Sequence, residues 1–230
     1  MARQSNRWLA QRDAIARPAE SRQFVDDVLG ELSSRRFRPS AWATFVGRSL
    51  VRAVAQLRIR SAAATEVTTI HGLAFAAGSR WWALGSWFLC ITHLGLLGER
   101  STLGWPNRLT VLRALLPSLL PASRWTCLIA IATDFADGHL ARRGEESAFG
   151  AYADPIADGA FWSCYALRWE TSRWLRWVPV TLLALSVAGI SAAYFTRGRS
   201  IDYPRPMSVR YASAAAQILL ALRSLRSVAR

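Results

Sequence analysis

The stretch 134–158, DFADGHLARRGEESAFGAYADPIAD, places four aspartates within twenty-five residues and is flanked on both sides by apolar runs. Asp134 and Asp137 are three residues apart, and Asp154 and Asp158 four apart. On helices each pair therefore shares a face. A twelve-residue turn from Gly138 to Phe149 brings the two helices side by side, so that four carboxylates converge. At bilayer depth an ionised aspartate costs at least a few kcal/mol and faces a polar cavity or a partner. Arg142 and Arg143 fall in the connecting turn, which leaves no arginine inside these helices to neutralise the cluster. Hard oxygen ligands suit Mg²⁺ or Mn²⁺, ions that bind carboxylates together with substrate phosphates. The spacing thus predicts a two-metal site, with ions about 4 Å apart holding a diphosphate and stabilising its leaving oxygen. The competing reading has the aspartates paired with loop arginines at a membrane surface.

The rest of the chain agrees with a membrane setting. Its 230 residues are 52% hydrophobic with 11 Trp and a mean hydropathy of +0.13, too apolar for an ordinary soluble domain. The net charge of +14 comes from arginine alone, since there is no lysine. These arginines sit between apolar stretches, as loop charges of a membrane protein do. Anionic headgroups, not nucleic acid, are the expected partner. Cys90, Cys127 and Cys164 each lie inside an apolar run without C-x-x-C pairing and read as small buried hydrophobes. His71, His93 and His139 are scattered, and no zinc ligand set assembles from them. The N-terminus has no apolar stretch like that of a cleaved secretory leader.

The fold class expected is all-α, a polytopic membrane bundle of six helices behind a polar and amphipathic extension over 1–80. Residues 1–40 read as loosely ordered or a short helix. Over 41–58, Trp42, Phe45, Val46, Leu50, Val54 and Leu57 share one helical face, with Arg48, Arg52 and Arg58 largely off it. That pattern predicts a helix lying in the membrane interface, against the alternative of an amphipathic core helix. The run 81–98, WWALGSWFLCITHLGLLG, carries no formal charge and reads as an additional spanning helix. Further apolar segments cover 107–121, 124–140, 150–168, 174–195 and 207–222, and 223–230 is a basic tail.

Small residues flank the carboxylates. Gly138, Ala141 and Gly150 let a base or phosphate approach the backbone, and Arg142 offers a fork of donors for phosphate. Asp134-x2-Asp137-Gly138-x2-Ala141-Arg142-x7-Gly150-x3-Asp154-x3-Asp158 resembles the signature of the CDP-alcohol phosphotransferases, with seven spacer residues where eight are usual. Upstream, PNRLTVLRALLP (106–117) resembles the family's opening of the first core helix through Pro106, Asn107, Leu109, Thr110 and Arg113. The resemblance covers a catalytic core over 105–222.

The resemblance implies an integral membrane enzyme of phospholipid biosynthesis. Such an enzyme transfers a phosphoalcohol unit from CDP-diacylglycerol or another CDP-alcohol to an acceptor alcohol and releases CMP. It implies that Asp134, Asp137, Asp154 and Asp158 hold the metals, with Asp158 also the general base. Gly138, Ala141, Arg142, Gly150, Asn107 and Thr110 would form the cytidine diphosphate pocket. Arg113, Arg199, Arg205 and Arg210 are the candidates for binding the acceptor. A homodimer in the cell membrane, multi-pass with its active site toward the cytoplasm, is expected on the same ground. Two features depart from the family: Arg210 and Ser213 stand where Lys-x-x-Thr is usual, and five helices follow Trp105 instead of six. One span at 81–98 would also put the N-terminal region opposite the catalytic turn, unless 64–98 forms a hairpin. Two rival readings are a Mg²⁺-dependent prenyltransferase and a non-catalytic membrane protein. The first is not expected to carry the Gly-x2-Ala-Arg insert, and the second is expected to have lost aspartates.

Overall fold

The computed structural model describes residues 20–119, 125–140, 147–200 and 207–226, which form α-helices joined by short turns. Among them lie α1 (Glu20–Ser34), α2 (Pro39–Ile59), α3 (Ser61–Ala77) and α4 (Arg80–Thr92). A 3₁₀ turn (Leu94–Leu97) follows, then α5 (Gly104–Leu119), α6 (Thr126–Leu140), α7 (Ala148–Trp169), α8 (Arg173–Arg197) and α9 (Met207–Arg226). No strand occurs among the described residues, as expected for an all-α chain.

The polar start of the chain holds more helix than its composition announces. In α1, Val28, Leu29 and Leu32 are buried. Their spacing makes one stripe of a helical face. Behind it α2 runs as expected but turns its apolar side outward. Trp42, Val46, Leu50 and Val54 are exposed, whereas Arg52 and Gln56 are buried. Arg52 is satisfied there: its Nη2 donates to Ser21 Oγ at 2.6 Å, and its guanidinium lies 4.6 Å from the Phe24 ring centre.

The run 81–98 is not one helix. Helix α4 ends at Thr92, where the Thr92 hydroxyl donates back to the Phe88 carbonyl at 2.8 Å and His93 Nδ1 lies 2.8 Å from the Leu89 carbonyl. Polar side chains that bond the preceding turn compete with continuation of the helix. At 13 residues α4 is far short of the roughly 20 that a span needs. It folds back on α3 as the second arm of a hairpin. The base of that hairpin meets the start of α5, through Ala63 N–H to the Ser101 carbonyl at 3.0 Å. Its tip reaches the far end of α5, where Ser118 Oγ donates to the Ser79 carbonyl at 3.4 Å. The 64–98 hairpin reading thus replaces the single span: the first arm starts, and the second finishes, at the end where α5 begins.

Helix α5 is the axis of the molecule. Val111 and Leu115 on it join Val67, Ala74, Ala83, Ile91, Leu94, Leu97 and Leu103 in one core cluster. Leu116 joins Cys127, Ala130, Phe161, Trp162, Tyr165 and Leu220 in a second. In the second cluster the three rings are mutually packed, with Trp162 edge-on to Phe161 at 5.2 Å. Helices α6 and α7 both pack along α5 and touch one another little. The expected side-by-side pairing of these two is therefore corrected: α5 lies between them. The turn between them is also shorter than Gly138–Phe149, because α6 continues to Leu140 and α7 starts at Ala148.

Helix α8 differs from the others. Of its 25 residues only Pro179 is buried, and Trp174 (88% exposed) and Leu185 (63%) stand outward. Among the described residues it is the one helix long and apolar enough to cross a membrane. Cys127 is buried and Cys90 and Cys164 are half-buried, all as free thiols.

Candidate active site

Helix α7 is started by Ser147, whose Oγ accepts from the Gly150 N–H at 3.1 Å, as serine at an N-cap does. The same hydroxyl donates to Asn107 Oδ1 at 3.1 Å, while Asn107 Nδ2 donates to the Leu103 carbonyl at 2.6 Å. Asn107 is buried, so both ends of its amide are used to lock the start of α7 to the start of α5. Gly150 is required at this crossing. A Cβ there would lie 2.7 Å from Asn107 Oδ1. Five residues on, Pro155 lies inside α7 immediately after Asp154. It has no N–H for the Ala151 carbonyl, which loosens the ladder beside the carboxylate.

With α5 between α6 and α7, one side chain on it reaches acids from both. Arg113 donates through Nη1 to Asp137 Oδ2 at 2.8 Å and through Nη2 to Asp154 Oδ1. Nη2 is also 3.5 Å from Asp134 Oδ1. Arg113 Nε lies 4.0 Å from Asp158 Oδ1, too far for a hydrogen bond, and is buried with no acceptor. The guanidinium is fully buried, and side-chain exposure of the acids runs from 8% at Asp137 and 19% at Asp158 to 40% at Asp154 and 50% at Asp134. Thr110 adds a hydroxyl 3.3 Å from Asp137 Oδ2. The expectation that no helical arginine neutralises the cluster is thus corrected. Arg113 does so in part, from a third helix.

One guanidinium against four carboxylates leaves an excess of negative charge. Oxygens of Asp134, Asp137 and Asp154 lie within 4.8 Å of one another. Three hard oxygen donors, two of them accessible to solvent, around an excess of negative charge fit a divalent cation of the Mg²⁺ or Mn²⁺ kind. Asp158 sits one turn further along α7. Its Oδ2 accepts from Gln217 Nε2 of α9 at 2.5 Å, a partner that gave no signal in the sequence beyond its helix. Ser147 is likewise a residue without a motif of its own.

The remaining candidates spread outward from this centre. Gly138 is in the last turn of α6, directly after Asp137. Arg199 follows the end of α8 and Arg210 lies in the first turn of α9, both exposed. Among the described residues neither pairs with the aspartates, so the structure does not bring them to the cluster. Ala141, Arg142 and Arg205 lie outside the described residues.

The family model for CDP-alcohol phosphatidyltransferases matches residues 103–228. A CDP-diacylglycerol--glycerol-3-phosphate 3-phosphatidyltransferase of Pseudomonas fluorescens is 45% identical over 67 residues, covering 23% of this chain and 34% of the relative. No solved structure matches. The family model spans more than half of the chain and includes every one of the four aspartates, Arg113 and Asn107, and the protein belongs to the CDP-alcohol phosphatidyltransferase family.

Proposed function

We propose that this chain is an integral membrane transferase that moves a phosphatidyl group from CDP-diacylglycerol to the hydroxyl of an acceptor alcohol, with release of CMP. The observation that carries the reading is the convergence of Asp134, Asp137 and Asp154 within 4.8 Å, with Asp158 one turn away on α7. Divalent cations held by these carboxylates would grip the donor's diphosphate and offset the charge gathering on departing CMP. The chain's own residues do the rest. Asp158 takes the proton of the acceptor hydroxyl as its oxygen bonds to phosphorus, and the bond from that phosphorus to CMP breaks. Gln217, bonded to Asp158 Oδ2, helps to orient the carboxylate for that proton. Arg113 holds Asp137 and Asp154 in register while the site is empty of substrate. Asn107, Thr110, Gly138 and Gly150, with Ala141 and Arg142, line the cytidine diphosphate pocket. Arg199, Arg205 and Arg210 draw in the phosphate of an anionic acceptor, for which glycerol 3-phosphate is the first candidate.

A membrane setting follows from exposure. Trp174, Trp177, Leu185 and Val187 of α8 stand outward, apolar surface that lipid solvates better than water, which supports this reading. The outward apolar side of α2 rests at the interface, beside Arg48 and Arg58. The enzyme is multi-pass, works as a homodimer in the cell membrane and faces its active site to the cytoplasm. Both the family and the presence of all four aspartates speak against a prenyltransferase or a chain without catalysis. Purified protein in lipid nanodiscs, given CDP-diacylglycerol and a panel of acceptors, is expected to release CMP with an acceptor alcohol and Mg²⁺. No CMP with any acceptor would end the reading.

A further inference from the structure

The segment preceding the family core is not a loose extension. Helix α1 is wedged between three elements that come from distant parts of the chain. On one edge Ser21 Oγ donates to the Gly95 carbonyl of the 3₁₀ turn at 3.2 Å and receives Arg52 Nη2 of α2. Arg48 of α2 pairs with Glu31 at 2.8 Å. On the opposite edge Asp26 Oδ1 accepts two bonds of 2.6 Å, from the backbone N–H and from the hydroxyl of Ser200, 174 positions later. Ser200 is the third residue beyond α8, directly after Arg199.

Other contacts pin the same place. Gly198 ends α8 with φ +61, and a Cβ there would meet Ser33 Cβ at 3.4 Å, so α1 crosses the chain where the linker begins. Phe195, in the last turn of α8, lies 5.6 Å from the ring of Trp42 and 6.3 Å from that of Phe37. Phe37 reaches it from an unfavourable backbone: Arg36 (φ 49) and Phe37 (φ 54) both occupy the left-handed region. Non-glycine residues stay there only where surrounding structure holds them. The aromatic contact and the bonds of Phe37 N–H to the Leu32 carbonyl and of Arg36 N–H to the Ser33 carbonyl supply that hold. Every one of these partners from residues 20–59 lies outside the matched family region.

We propose that Asp26 is a positioning residue: through Ser200 it fixes the first residues of the α8–α9 connection so that Arg199 is presented to the phosphate of an anionic acceptor alcohol. This rests on the transferase reading above. Two hydrogen bonds donated to one carboxylate oxygen, one of them by a backbone N–H, restrain Ser200 far more than a side-chain contact alone would. The N-terminal segment then tunes acceptor affinity without touching substrate.

The test uses the full chain in nanodiscs, with CDP-diacylglycerol and glycerol 3-phosphate as probes. Asp26→Ala is expected to raise the acceptor KM about tenfold, the loss that charge-assisted hydrogen bonds carry. The donor KM and the Mg²⁺ dependence stay within about twofold. Asp26→Asn keeps an accepting oxygen and restores the acceptor KM to within about threefold of wild type. Ser200→Ala, which leaves α1 intact, shifts the acceptor KM in the same direction by less. Independently of activity, trypsin is expected to cleave after Arg199 several-fold faster in Asp26→Ala, because the linker opens more often. Donor and acceptor KM rising together, or kcat falling with both KM values unchanged, would overturn the positioning role. Tryptic rates equal to wild type in both variants would overturn the anchor itself. Wild-type protein that releases no CMP would instead remove the transferase reading and the acceptor role with it.

Discussion

Arg113 Nη1 lies 2.8 Å from Asp137 Oδ2, and both side chains are buried where α5 passes between α6 and α7. The pair is the innermost part of a site whose other acids open progressively to solvent. A buried charge that loses its partner costs roughly 3–5 kcal/mol. Arg113→Ala is therefore expected to lower the unfolding temperature strongly in metal-free protein. Mg²⁺ should recover part of the loss, since a cation at the three converged oxygens replaces the missing positive charge. Thermal unfolding of the variant with and without Mg²⁺ checks this, and an unfolding temperature indifferent to Mg²⁺ would contradict it.

Asp158 lies one turn beyond Asp154 on α7, outside the three converged oxygens and bonded by Gln217, and the base role proposed for it follows the family pattern. Asp158→Asn keeps the shape and the contact with Gln217 but offers no proton acceptor. CMP release is expected to fall at least about a hundredfold, the scale of general-base catalysis. The unfolding temperature should stay near that of the wild type. Near wild-type turnover would take Asp158 out of the reaction.

The outward face of α8 separates lipid from water as its surroundings. Leu185 sits midway along the helix, 63% exposed. In a bilayer Leu185→Arg costs roughly 2.5–3.5 kcal/mol on insertion scales. On a water-facing helix the same change is close to neutral. The yield of folded protein in membranes should therefore drop for Leu185→Arg and hold for Leu185→Phe. Equal yields would remove α8 from the lipid.

At the opposite end from the aspartates, Glu170 follows α7 and binds Arg223 of α9 through two bonds of 2.9 Å. Burial pushes its carboxyl up, but the bonds from Arg223 and from the Ser172 N–H outweigh it and hold the group below its ordinary value of 4.5. A carboxylate whose folded pKa is depressed stabilises the fold above its ordinary pKa, and that stabilisation is lost as pH falls through the folded value. Wild type is expected to unfold at a higher temperature than Glu170→Gln at neutral pH. The gap should close progressively below about pH 4.5. A gap that persists unchanged into acid would show that charge on Glu170 is not its source.

How far the sequence reveals this site depends on the kind of contact involved. The four aspartates are legible because metal chemistry fixes both their type and their spacing along two helices. Gly150 and Asn107 are legible as members of motifs, yet their mutual packing, with no room for a Cβ, is visible only once α5 and α7 cross. Arg113 stands within a recognisable helix opening, but nothing local says that it reaches acids 21 to 45 positions later. The three-helix arrangement decides that. Hydropathy misreads 81–98, since it counts apolar residues and is blind to Thr92 and His93 bonding back onto the turn before them. Over 20–34 the short-helix alternative holds, because Val28, Leu29 and Leu32 are enough to dock a helix whose remaining surface is polar.

The central claim is that the aspartate cluster holds divalent ions, and Mn²⁺ binding to purified protein, followed by electron paramagnetic resonance, tests it most directly. Wild-type protein is expected to bind Mn²⁺ in the presence of CDP, with competition by Mg²⁺, and Asp154→Asn and Asp134→Asn to weaken binding at least about tenfold. Mn²⁺ binding that is absent in wild type, or that is undiminished in both variants, would contradict the account.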